Sequence, residues 1–159
     1  MRRWSLRRKA FAGISLGFIL QVVPLPAVLA LFRPSFAVLM VIFWSISSPT
    51  LGGIGLGFAV GLALDAYLGV VLGQHALATS LIAYVAIRQH LIIRNKPMFE
   101  QALYVGGLLL LWELVILAIN GWTGHAVNGW IRLLPVVVGT VLWPVVIDWL
   151  GIDPASSRR

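Results

Sequence analysis

Apolar stretches separated by short polar breaks dominate the chain. They fill residues 10–24, 34–48, 51–73, 75–88, 98–120 and 131–150. Each reads as a membrane helix, and together they predict an all-α polytopic membrane protein of six transmembrane helices in a single integral membrane domain, residues 1–159. The stretch 51–73 has the strongest internal pattern. Gly53, Gly57, Gly61, Asp65, Gly69 and Gly73 recur at every fourth position. In a helix such residues lie nearly one above another and form a slowly winding ridge. A glycine ridge lets a neighbouring backbone approach closely, the small-xxx-small logic of helix packing in lipid. Read as one helix, the ridge rises roughly 30 Å, about one hydrocarbon core.

The breaks are consistent with this division. A basic start, Arg2, Arg3, Arg7, Arg8 and Lys9, precedes the first apolar stretch, with Pro24 and Pro26 behind it. That layout is shared with secretory signals, but every later segment is membrane-embedded and needs an oriented anchor, so the stretch is read as a retained span. Gly13 and Gly17 add a second small-xxx-small pair. Arg33-Pro34 opens the short second span, with proline where its missing donor costs nothing. At about 14 residues that span is expected to lie steeply or to thin the bilayer. Residues 47–50 read as a turn, residues 88–97 as a basic connection, and residues 121–130 as a loop in the headgroup interface.

Composition narrows the class. The 159 residues are 60% hydrophobic and 11% charged, with a mean hydropathy of +0.95. Soluble domains run near 25% charged, so an integral membrane protein is the reading. The net charge of +7 sits in clusters beside apolar segments, as topology signals do, and no nucleic-acid-binding pattern accompanies it. With six spans and an inner N-terminus, ten basic residues fall on the cytoplasmic side: Arg2, Arg3, Arg7, Arg8, Lys9, Arg88, Arg94, Lys96, Arg158 and Arg159. Two, Arg33 and Arg132, fall outside. That bias predicts both termini in the cytoplasm.

Candidate chemistry is sparse. Intramembrane ionisable residues are functional candidates because lipid makes them costly. Asp65, on the ridge, is expected to face protein as a hydrogen-bonding latch, either to a neighbouring helix or to a partner subunit, so that Asp65→Asn is far milder than Asp65→Leu. Glu113 lies deep in the fifth span, where it would either face a cavity or, only with unusual tilt, pair with Arg88 or His90. Asp148 reads as interfacial. His75 and His125 are isolated, and the chain has no cysteine, so neither a metal nor any other cofactor is expected. No Walker, Gly-x-Ser-x-Gly or HExxH pattern occurs, which argues against an enzyme. The seven tryptophans are expected mostly at span ends, with Trp112 the exception.

Several features in order resemble the bacterial rod shape-determining MreD family over roughly residues 10–150. They are the basic N-terminus, Arg33-Pro34 opening a short span that ends at Trp44, the Gly57-x-x-x-Gly61-x-x-x-Asp65 run to Leu72-Gly73, and Leu142-Trp143-Pro144. The resemblance implies a non-enzymatic scaffold of the inner-membrane machinery for cell elongation and peptidoglycan synthesis. Its implied partners are MreC, the actin-like MreB, RodA and the elongation-specific penicillin-binding transpeptidase. A homo-oligomer stays open. The family is also distantly similar to the six-helix S-components of energy-coupling-factor transporters, which implies an S-component-like bundle and supplies the alternative of a small-molecule-binding subunit. The Arg88, Arg94 and Lys96 connection is expected to meet anionic lipid or MreB.

Overall fold

The computed structural model describes residues 2–24, 26, 32–124 and 131–150, with side chains from residue 8 onward. Among the described residues there are six α-helices and no strand: α1 (Arg2–Val22), α2 (Phe36–Ser47), α3 (Ile54–Leu68), α4 (Gln74–Arg94), α5 (Met98–Trp122) and α6 (Leu134–Leu150), the last preceded by a 3-10 turn at Ile131–Leu133. Three segments are long and apolar enough to cross a membrane: Gln74–Arg94, Met98–Trp122 and Ile131–Leu150. With 12 and 15 residues, α2 and α3 reach only about 18 and 22 Å, short of a hydrocarbon core.

The core is built around α2. Every residue from Ala37 to Ile46 is buried, and α2 packs against all five other helices. A helix that is apolar on all sides is stable when protein covers all of it. Neighbouring helices therefore enclose the short second segment. Enclosure also corrects the tryptophan placement. Trp44 and Trp143 are core residues at 0% and 1% exposure, and the Phe43 ring lies 5.4 Å from Trp44 and 6.1 Å from Trp143.

Adjacent helices run antiparallel. On α1, Gly17 lies against the Phe36 backbone at the start of α2, and Gly13 lies near Trp44. Gly106 of α5 faces Thr140 of α6, and Gly139 faces Leu109. The 47–50 turn continues through Gly52, where an added Cβ would fall 2.4 Å from the Trp44 and Ser45 backbone.

Four expected boundaries are corrected. The ridge 51–73 is not one helix. It stops at Leu68, where Gly69 (φ +64°) turns left-handed and its N–H donates to Asp65 O at 3.0 Å. Gly73 (φ +100°) is left-handed as well, and the chain reverses into α4. Glycine adopts these dihedrals without the Cβ penalty, so it closes a helix more readily than it extends one. The fourth segment is likewise longer than residues 75–88. No breaker precedes Asn95, so Arg88 to Arg94 continue as helix, and the connection to α5 is confined to Asn95, Lys96 and Pro97. The first helix begins at Arg2 rather than residue 10, and Gly121 and Trp122 close α5. Residues 125–130, with His125, lie outside the described residues, as does most of 25–31.

The part of the ridge that remains helical packs inside the protein. A Cβ on Gly57 would lie 2.8 Å from Thr79 O, and one on Gly61 would lie 2.4 Å from Ala76 Cα, both on α4. Nothing stands within 4 Å of a Cβ at Gly53, Gly55, Gly69 or Gly73. Gly61→Ala is therefore expected to destabilise the protein by about 2 kcal/mol or more, because backbone must move. Exposed Gly55→Ala is expected to gain up to about 1 kcal/mol from helix propensity. Thermal unfolding of the two variants in one detergent checks the contrast.

Candidate functional site

The first turn of α4 presents N–H groups that have no partner within the helix. Asp65, three residues before the end of α3 and 1% exposed, satisfies them. Its Oδ2 accepts from Gly73 N at 2.8 Å and Ala76 N at 3.3 Å, and its Oδ1 accepts from His75 N at 2.8 Å. The His75 Nδ1 also lies 2.8 Å from Oδ1. A carboxylate accepts only, so the tautomer with a proton on Nδ1 completes the set. Negative charge at a helix N-terminus also complements its macrodipole. Asp65 is thus a cap supplied by one helix to the next, and it locks the α3–α4 reversal.

The cap orients the groups beyond it. The His75 ring lies 5.5 Å from that of Trp112, and Trp112 Nε1 donates to Thr79 Oγ1 at 3.2 Å. The neighbouring Glu113 is buried and forms an ion pair with Arg132 of the 3-10 turn, Oε1 to Nε 2.5 Å. Neither Arg88 nor His90 is its partner: Arg88 donates to Tyr84 Oη at 3.1 Å, and His90 Nδ1 lies against Ile87 O. Arg132 reaches Glu113 because α6 starts at the end of the bundle where α5 finishes. Arg33 closes the same end, donating from Nη1 to Gln21 O at 2.7 Å and from Nη2 to Val23 O. Arginine thereby satisfies carbonyls left open at the end of α1.

These elements surround a cavity of about 170 Å³. Its lining includes Gln21, Arg33, Ser35, His75, Glu113 and Arg132, with Leu64, Leu68, Trp112 and Pro135 as apolar wall. Sequence spacing alone did not bring Asp65 to His75 or Glu113 to Arg132. The left-handed glycines at 69 and 73 were the available signal for the first pairing, since a chain that reverses there carries His75 back to Asp65.

The remaining candidate residues lie elsewhere. Pro34 packs toward Gly139, Trp44 and Trp143 are in the core, and Pro144 lies within α6. Asp148 is exposed near the end of α6. At the opposite end from the cavity, Lys96 donates to Glu100, whose carboxylate holds the lysine pKa above its ordinary value. Arg94 closes α4 beside it. Among the described residues, no three His, Cys, Asp or Glu side chains group as a metal site.

Antiparallel apolar helices, three of the segments long enough to cross a membrane, with ionisable groups buried between them and paired, define an α-helical integral membrane protein. The chain belongs to the rod shape-determining protein MreD family, whose model matches residues 9–151. The rod shape-determining protein MreD of Haemophilus influenzae is 30% identical over 144 residues, covering 91% of this chain and 86% of that protein. No solved structure matches the chain. Membership in this family ties the chain to rod shape determination.

The geometry changes what Asp65→Asn should do. The amide retains one acceptor oxygen and turns an NH2 toward N–H donors. The expected loss is about 3 kcal/mol, from unpaired helix N–H groups and the missing charge, bringing Asn close to Leu rather than far milder. Midpoints of thermal unfolding for Asp65→Asn and Asp65→Leu, compared in one detergent, check this.

Proposed function

We propose that this chain is a non-enzymatic scaffold and regulatory subunit of the cell-elongation complex in the bacterial inner membrane, crossing it several times with both termini in the cytoplasm. In this role it binds MreC and, with RodA and the elongation-specific transpeptidase, directs lateral peptidoglycan synthesis. Family membership over residues 9–151 is the observation that carries the reading. Gly57 and Gly61 are covered by α4, so a partner helix docks on another face, and the ridge serves the fold that presents that face.

The test is affinity purification of the tagged protein from mild detergent, with the recovered proteins identified by mass spectrometry. MreC and the RodA–transpeptidase pair are the expected recoveries. An ATPase pair with its membrane coupling subunit would instead favour the small-molecule-binding alternative.

The basic end of α4 provides a second prediction. Arg88, Arg94 and Lys96 face anionic lipid at the cytoplasmic surface, each contributing about 1 kcal/mol of attraction. Replacing all three by Gln is expected to weaken binding to anionic vesicles while MreB co-localisation in cells persists. Loss of MreB with topology intact would assign this end to the filament.

A further inference from the structure

Independently of the partner reading, we propose that the cavity at the ends of α1, α3 and α5 binds a singly charged phosphate ester through Arg33 and Arg132. The described basic residues are divided between the two ends of the bundle. Arg8, Lys9, Arg88, Arg94 and Lys96 lie toward one end. Arg33 and Arg132 lie at the other, and both line this one cavity. They come from different connections, 99 positions apart in number, so local sequence does not account for their meeting. An ion pair needs only one of them. Glu113 is paired by Arg132, which leaves Arg33 as an excess positive charge among the described lining residues; Asp65, behind His75, is committed to the N–H groups that open α4.

The wall is also incompletely satisfied. Arg33 Nε and Gln21 Oε1 are buried without hydrogen-bond partners, whereas buried polar atoms in native proteins are nearly all bonded. Arg132 keeps about a third of its side chain exposed, at 34%, while Glu113 beneath it is 6% exposed. Glu113 therefore holds the guanidinium through Nε, and an arginine bonded through Nε still has its two Nη groups as donors. A planar guanidinium matches phosphate oxygens in bidentate fashion. The volume of about 170 Å³ equals that of roughly six waters, room for a phosphate with the first atoms of its ester groups. With one net positive charge in the lining, and Glu113 repelling a second negative charge, a monoanionic diester fits better than a dianion. Such a group belongs equally to a membrane lipid headgroup and to a water-soluble ester, and the test separates the two sources.

The purified full chain is unfolded thermally in dodecyl maltoside with three additions. They are phosphatidylglycerol, a glycolipid lacking phosphate, and glycerophosphoglycerol at constant ionic strength. Phosphatidylglycerol should raise the midpoint by about 3 °C at tenfold saturation, and the glycolipid should not. A rise with the lipid alone assigns the site to a headgroup. A rise with glycerophosphoglycerol as well assigns it to phosphate esters from either source. Two variants locate the effect. Arg132→Gln with Glu113→Gln removes the pair without stranding a charge. Ser35→Leu fills the cavity at a residue whose side chain caps no helix. Each should lose the rise. No rise from either phosphate compound, or a full rise retained by a folded variant, overturns the proposal.

Discussion

The start of α4 lies inside the protein, and that single constraint organises the end of the bundle. Helix N–H groups placed away from water must find acceptors within the chain. Here the acceptors come from the preceding helix, because Asp65 receives the N–H groups of Gly73, His75 and Ala76. The bonds can form only if α3 and α4 lie nearly in backbone contact, and Gly57 and Gly61 leave the room for it. In turn the cap fixes His75 beside Trp112, and so determines what stands next to Glu113. The glycines and the carboxylate, four residues apart on one ridge, are thus parts of one device: close approach on one side and its electrostatic lock at the end.

The second organising feature is apolar. Because α2 is covered on all sides, it behaves like the core helix of a soluble protein, with Phe43, Trp44 and Trp143 filling its centre. Removing large side chains from such a core costs several kcal/mol through lost contacts and residual cavity, whatever the surrounding lipid. The two organising features meet at Gly52, whose lack of a side chain lets the α2–α3 turn fold back onto Trp44 and Ser45.

Much of this was legible in the sequence. The apolar segments marked all six helices, the four-residue repeat marked the packing face of α3, and Arg33-Pro34 marked the approach to α2. What escaped depended on dihedrals or on distance along the chain. A glycine repeat continues through residues 69 and 73 with no change of spacing, yet both positions turn left-handed and end the helix. The cluster from Arg88 to Arg94 reads as a polar connection by charge. It is helical because no residue before Asn95 breaks the pattern, and its charged side chains can reach outward. Glu113 and Arg132 meet across the turn between α5 and α6, and no local periodicity reports such a pair. Trp44 and Trp143 sit where an aromatic belt would, but hydropathy cannot tell a tryptophan facing lipid headgroups from one facing another helix.

The enclosure of α2 bears on how the protein is made. Synthesis proceeds from the N-terminus, so α2 is polymerised before any residue of α4, α5 or α6 exists. Part of its wall is those later helices, and the Trp143 ring beside Phe43 is in place only when α6 has been translated. Until then a 12-residue apolar helix, too short to rest across a bilayer, waits with α1 and the α3 turn as its only company. The enclosure of the core helix is therefore completed only late in biogenesis, and a chain halted before α6 has an unclosed centre.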